Sequence, residues 1–217
     1  QRVLKFVKYL PEFGWKPIVL TVKDGDFPAR DESLLKEVPA DIDVHRTDIF
    51  EPYDLYRKLT GKSKSTAVDV NNIDGGSKTR FSDKIAEFIR ATFFIPDARI
   101  GWKKHAVKEG KKIIDSERPD IIFSSSPPYT CALIAMELKK YAEKKYGKHI
   151  PWVSDFRDAW TDYLTTPNRW FLPKKIDRKY ERTTLDKADT MTIVASGMKD
   201  DFERKYPAVS AKTDFVL

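Results

Sequence analysis

Two quoted stretches decide the fold class: Pro119-Asp-Ile-Ile-Phe-Ser-Ser-Ser-Pro-Pro128 and, after a helical interval, Pro151-Trp-Val-Ser-Asp-Phe-Arg-Asp-Ala-Trp160. Each opens with a short apolar run and then turns abruptly polar. The interval from Tyr129 to Tyr146 has the length and pattern of a helix. This is the signature of two buried parallel strands joined by a crossover helix. Their carboxyl ends carry Ser124, Ser125 and Ser126 on one side and Asp155, Arg157 and Asp158 on the other. In open α/β sheets ligands occupy the crevice outside those ends, so these six residues are the candidate site.

Working outward, the alternation continues in both directions. Strands are expected at Pro17–Val22, Ile42–Thr47, Ile121–Ser124, Ile150–Ser154 and Thr190–Val194, and Asp214 begins another. Helices are expected at Tyr129–Tyr146, Pro173–Lys187 and Gly197–Tyr206, with a short one over Asp31–Val38 and another turn or two over Pro52–Leu59. Ser82 is placed to cap a helix whose Ile85, Phe88, Ile89 and Phe93 form one apolar stripe, ended by Pro96. The next helix turns Trp102, Ala106, Val107, Ile113 and Ile114 inward and closes at Pro119, because proline drives its predecessor out of the right-handed helical region. The expected fold is α/β, a Rossmann-like parallel sheet with helices on both faces, in a single domain over residues 1–217. Gly61–Thr79, rich in Ser, Lys, Asn, Asp and Gly, reads as a mobile polar loop inside it.

The chain opens inside a helical pattern, Val3, Leu4, Val7 and Leu10, whereas a βαβ sheet normally starts with a strand. Truncation at both ends is therefore expected. With 41% hydrophobic residues the chain can bury a real core, yet no run approaches the ~18 apolar residues of a membrane span. A single cysteine, Cys131, sits in an apolar stretch and reads as a core residue in reducing, cytoplasmic surroundings. The net charge of +7 has its excess between Arg99 and Arg118, where a solvated helix face and an anion-attracting surface are both consistent readings.

The chemistry is concentrated at the strand ends. Ser-Ser-Ser-Pro-Pro suits either an ordinary helix cap or an anion and hydroxyl site at a helix start. Asp155-Phe-Arg-Asp158 admits two readings. One is a closed structural salt bridge; in the other, one carboxylate orients Arg157 while its neighbour accepts hydrogen bonds from a substrate. Trp160, Tyr163, Trp170 and Phe171 follow, as a sugar-stacking platform, as core, or as a patch that touches lipid. Ser196 reads as a plain helix cap. The dinucleotide glycine fingerprint, the Gly-Lys-Thr phosphate loop and the Gly-x-Ser-x-Gly elbow do not occur, and His45, His105 and His149 lack metal-ligand spacing.

Taken in order, Arg2-Val-Leu-Lys-Phe-Val-Lys-Tyr-Leu10, Gly14-Trp-Lys-Pro-Ile-Val-Leu-Thr21, the two stretches quoted above, and Ala188-Asp-Thr-Met-Thr-Ile-Val-Ala-Ser196 resemble the amino-terminal domain of family 4 glycosyltransferases. The resemblance covers nearly all of the chain outside Gly61–Thr79. It implies one half of a GT-B architecture, with the family's first strand and glycine loop preceding Gln1 and its donor domain following Leu217. It further implies retaining transfer from a nucleotide-diphosphate sugar held by that other domain, with no cofactor or metal in this chain. Ser124, Ser125, Ser126, Asp155, Arg157 and Asp158 then become acceptor-binding residues, and no catalytic residue is assigned. The implied partners are a sugar or glycan acceptor and the donor-binding domain of the same polypeptide, with no specific nucleic acid; the basic face and the aromatic loop, not the resemblance, add peripheral contact at the inner membrane face. Two other readings stand beside it. One is a basic α/β module docking on an anionic membrane or nucleic acid; the other is a complete small Rossmann-type enzyme such as a sugar-nucleotide epimerase relative.

Overall fold

Four strands, β3 (Ile122–Ser126), β4 (Trp152–Phe156), β5 (Thr190–Ile193) and β6 (Asp214–Val216), pair in that order, all parallel. A separate parallel pair is formed by β1 (Ile18–Val22) and β2 (Asp43–Thr47). The computed structural model describes residues 2–25, 31–50, 88–162, 166, 168–210 and 214–216. The expectations for Pro52–Leu59, Gly61–Thr79, Ser82, Ile85 and Tyr163 lie outside them. The class is α/β, with a parallel sheet flanked by helices, compatible with a Rossmann-like fold.

The helices follow the expected order: α1 (Arg2–Tyr9), a described helical segment at 88–93, α2 (Lys103–Glu117), α3 (Thr130–Tyr146), α4 (Phe171–Lys187), α5 (Ser196–Lys205) and the short α6 (Pro207–Ser210). The turn over 32–37 is a 3-10 helix rather than an α-helix, opened by the Asp31 carboxylate accepting from Ser33 N. Before Pro119, Arg118 takes φ 52° and ψ 56°, the left-handed region, and so ends α2. Gly147, at φ 63°, ends α3 in the same way.

Side chains alternate across a strand, so the two faces of the sheet can be read separately. Ile122, Trp152, Phe156, Met191 and Ile193 face α3, α4 and α5. There Leu133, Leu185, Met198 and Phe202 close a core in which Trp152, Phe156 and Phe202 are fully buried. The opposite face carries Phe123, Ser125 and Asp155 and meets α1, with the Phe6 and Phe123 rings 4.9 Å apart. A second core links the two sheets. Leu20 and Val22 from β1 and Ile122 from β3 all pack against Trp102, Ala106, Ile114, Ile134 and Leu138. The close packing of α2 on α3 uses a glycine: a Cβ on Gly110 would stand 2.6 Å from a Leu138 methyl and force that side chain to shift.

Two strand ends differ from expectation in a way that matters for the site. Both β3 and β4 run two residues further than the sequence suggests, to Ser126 and Phe156, with Ser125 opposite Asp155 and Ser126 opposite Phe156. The triple serine is therefore strand, and the turn begins at Pro127. Parallel pairing continues for as long as both partners supply extended backbone, which a drop in apolarity along one chain does not reveal. The apolar stripe at 88–93 also differs: Ala91 turns inward, whereas Phe88, Ile89 and Phe93 are exposed.

Candidate functional site

Alternation sorts the six candidate residues into two groups. Ser124 and Ser126 point to the helix-covered face and are buried. The Ser124 hydroxyl accepts from Trp152 Nε1 (2.9 Å), and Ser126 Oγ has no hydrogen-bond partner among the described residues. Ser125 and Asp155 point to the other face. Register places Thr192 beside Asp155, so a hydroxyl, an acid and a hydroxyl form a row across β3, β4 and β5.

Asp155 is fully buried and fully bonded. Its Oδ1 accepts from Arg2 Nη2 (2.8 Å) and Thr192 Oγ1 (2.6 Å). Its Oδ2 accepts from Arg2 Nε (3.0 Å) and Ser125 Oγ (2.7 Å). A carboxylate offers about four lone-pair directions, and these four bonds fill them. The closed salt bridge thus exists, but with Arg2 and not with Arg157. The Arg2 side chain keeps 38% of its surface exposed. Two of its five N–H groups bond Asp155, and the other three have no hydrogen-bond partner among the described residues. A groove of about 510 Å³ lies along the same face of α1, lined by Arg2, Lys5, Phe6, Tyr9, Leu10 and Phe13.

Arg157 is exposed, and its guanidinium donates to the Pro127 carbonyl, while its backbone N donates to Ser126 O (2.9 Å). The Asp158 carboxylate has no hydrogen-bond or ion-pair partner among the described residues and is half-buried. Tyr129 fastens the two strand-end turns together. It donates to Ala159 O (2.5 Å) and stacks on Trp160 at 4.6 Å, and burial raises its hydroxyl pKa well above the usual value. The strand ends therefore offer exposed Arg157 and half-buried Ser125 and Asp158, a rim to which Arg2 is joined through Asp155.

Capping differs from expectation. The serines do not cap α3. Asp97 does, accepting from Thr130 N (2.9 Å) and Thr130 Oγ1 (2.8 Å), and desolvation raises its carboxyl pKa. Ser196 does not cap α5 either, since the cap position is Ala195 and makes no side-chain bond. Cys131 is half-buried, and burial, aided by the Asp97 charge, pushes its thiol up to about 12, which leaves it inert as a nucleophile.

The described ends of the loop after β4, 160–162 and 168–170, are held from beneath. Buried Arg169 donates to Asp177 Oδ2 (2.9 Å) and to the carbonyls of Ala91 (2.7 Å), Phe94 (3.0 Å) and Pro96 (2.7 Å). The other Asp177 oxygen accepts from Trp160 Nε1 (2.8 Å). Next to it, Glu181 accepts from Thr161 N (2.9 Å), Thr161 Oγ1 (2.5 Å) and Tyr206 OH (2.8 Å), and desolvation raises its pKa. Trp160 is thus core, whereas Trp170 and Phe171 are exposed. A polar recess of about 290 Å³ opens here, lined by Thr161, Asp162, Asn168 and Lys174 among others.

Sequence reading missed Arg2, Thr192, Asp97 and Arg169. Only Thr192 had a usable signal, its place on the adjoining strand. Among the described residues no cluster of His, Cys, Asp or Glu is placed to hold a metal ion, and no helix is long and apolar enough to cross a membrane. Comparison with protein-family models, with curated proteins and with solved structures gave no significant match to this chain.

Proposed function

We propose that this chain is the acceptor-binding half of a retaining, nucleotide-sugar-dependent glycosyltransferase, with the donor held by a second domain. One observation carries the reading: the Ser125–Asp155–Thr192 row anchors Arg2 on the strand end from which exposed Arg157 and half-buried Asp158 follow. Fixed donors beside a carboxylate without a partner among the described residues match the alternating donor and acceptor hydroxyls of a sugar. Asp155 works here as a positioning residue, since its lone pairs are already filled. Arg157 and Asp158 are the groups that touch the acceptor, and Ser125 lies at their edge. Their contribution is orientation of the attacking hydroxyl, a proximity effect. Stabilising the departing diphosphate belongs to the domain that binds the donor.

Binding of a glycan panel to the chain tests this. Acceptor saccharides are expected to bind, and Arg157→Ala or Asp158→Ala should weaken them about tenfold, equal to ~1.4 kcal/mol. Absence of saccharide binding, or binding indifferent to both substitutions, would contradict the reading.

A further inference from the structure

The loop that leaves the rim ends in an apolar ridge for which the acceptor site has no use. Trp170, Phe171 and Leu172 are exposed at the start of α4, Phe171 at 78%. Phe88, Ile89 and Phe93 are exposed on the neighbouring helical segment, Phe93 at 69%. Trp170 Nε1 donates to Thr92 Oγ1 (3.0 Å), which joins the two segments. Arg169, immediately before the ridge, clamps the carbonyls of Ala91, Phe94 and Pro96. The six apolar side chains are therefore mounted on a rigid base. Single exposed apolar residues need no explanation, but a fixed group of six containing four aromatic rings does.

Charge distribution on α4 indicates what covers the ridge. Phe171, Lys175, Arg178 and Arg182 follow one another at helical spacing, with Leu172 and Lys179 beside them, and all six are exposed. The acids of the same turns, Asp177 and Glu181, are buried on the opposite face. Arg178 shares Asp162 with Lys174, at 2.8 and 3.2 Å. Lys175, Lys179 and Arg182 have no acid paired with them among the described residues. The outer face of α4 is thus an apolar tip followed by a cationic flank, which ends at exposed Asp186, itself paired with Lys187 (3.0 Å). Basic α2 lacks this combination. It carries cations, but its Ala106, Ile113 and Ile114, and Trp102 just before it, are buried.

We infer that this ridge docks the protein on an anionic lipid surface, with Trp170, Phe171, Leu172 and Phe93 entering the headgroup boundary and Lys175, Lys179 and Arg182 meeting lipid phosphates. Tryptophan and phenylalanine beside lysine and arginine on one amphipathic face is the composition of an interfacial segment. Side chains as protruding as Phe171 and Phe93 enter a fluid boundary without matching sockets, which a folded protein partner has to supply. The inference is independent of the glycosyltransferase reading, because the ridge and the rim use different residues.

Co-sedimentation with vesicles tests it, using phosphatidylcholine alone and phosphatidylcholine with about one-third phosphatidylglycerol. The chain is expected to bind the anionic vesicles, to bind neutral ones far more weakly, and to lose affinity as salt rises. Phe171→Ser with Leu172→Ser should reduce anionic-vesicle binding at least tenfold. Lys175→Glu with Arg182→Glu should abolish the anionic preference. All four side chains are exposed, and an unchanged thermal melt confirms that each variant folds. No vesicle binding, or binding that both double variants leave intact, overturns the inference. So does a dimer in sedimentation velocity that Phe171→Ser dissociates, since the ridge is then a contact between copies of the chain.

Discussion

Arg2 and Arg169 each pair with a buried aspartate, yet the two arrangements have opposite consequences. Arg169 is inside the protein, and four of its five guanidinium N–H groups go to Asp177 and three carbonyls. Its side chain is 2% exposed, so it is out of reach of a ligand. Arg2 meets Asp155 from the rim, with only part of its donor set used and part of its surface in solvent. In one place the acid serves an arginine that holds backbone together. In the other it serves an arginine that stays available. An Arg–Asp pair in a list of contacts does not distinguish these, but the destination of the remaining N–H groups does.

The largest effect is expected at the internal clamp. Arg169→Ala strands the Asp177 charge and three carbonyls, and should lower stability by about 3–5 kcal/mol in urea denaturation. Arg169→Lys should recover only part, because one ammonium cannot reach four acceptors. If Arg169→Ala proved neutral, the contrast between the two arginines would collapse.

Asp155→Ala comes next, at about 1–3 kcal/mol. Ser125 and Thr192 lose their acceptor, but Arg2 can turn to water. Arg2→Ala should cost about as much, since it leaves a buried carboxylate with only hydroxyl partners. Equal losses from Asp155→Ala, from Arg2→Ala and from the double variant would show that the two side chains act as one unit.

Asp115, half-buried and tied to α3, supplies the smallest effect and a control for both. Hydrogen bonds from Lys145 and then Tyr146 and Tyr141 hold its carboxyl down at about 2. An aspartate in the unfolded chain titrates near ~3.9. A lowered folded-state value contributes stability above ~3.9, lost as pH falls toward about 2. Carbon-13 carboxyl titration should place Asp115 near the bottom of that window, and Asp115→Asn should remove this part of the acid dependence.

How much of this was legible beforehand depends on how far apart the partners lie. The α/β class, the order of elements and the crossover helix at 130–146 follow from apolar runs alternating with helical patterns, which are local. The strand ends at Ser126 and Phe156 were not legible, because a ladder is extended by its neighbour. Asp155 stood out as a charge after a buried strand, but a closed salt bridge there pointed to Arg157, two residues away, as its partner. Sequence proximity suggested that pair; in a strand, residues i and i+2 share a face, but β4 ends at Phe156 and Arg157 turns to Pro127. The true partner lies 153 residues earlier, on α1. Arg169 was invisible for a similar reason, its carbonyl acceptors being 73 to 78 residues away. Periodicity marked Phe88, Ile89 and Phe93 as one stripe, but a stripe does not state what covers it.

The central claim is that Asp155 builds the rim while Arg157 uses it. The most direct measurement sets urea denaturation beside acceptor-dependent sugar transfer, for Asp155→Asn and Arg157→Ala, in a protein carrying both the acceptor and donor domains. Arg157→Ala should leave stability within about 0.5 kcal/mol while transfer falls at least tenfold, whereas Asp155→Asn should lower stability first. An Arg157→Ala variant that keeps full transfer, or loses it only by unfolding, would contradict the claim.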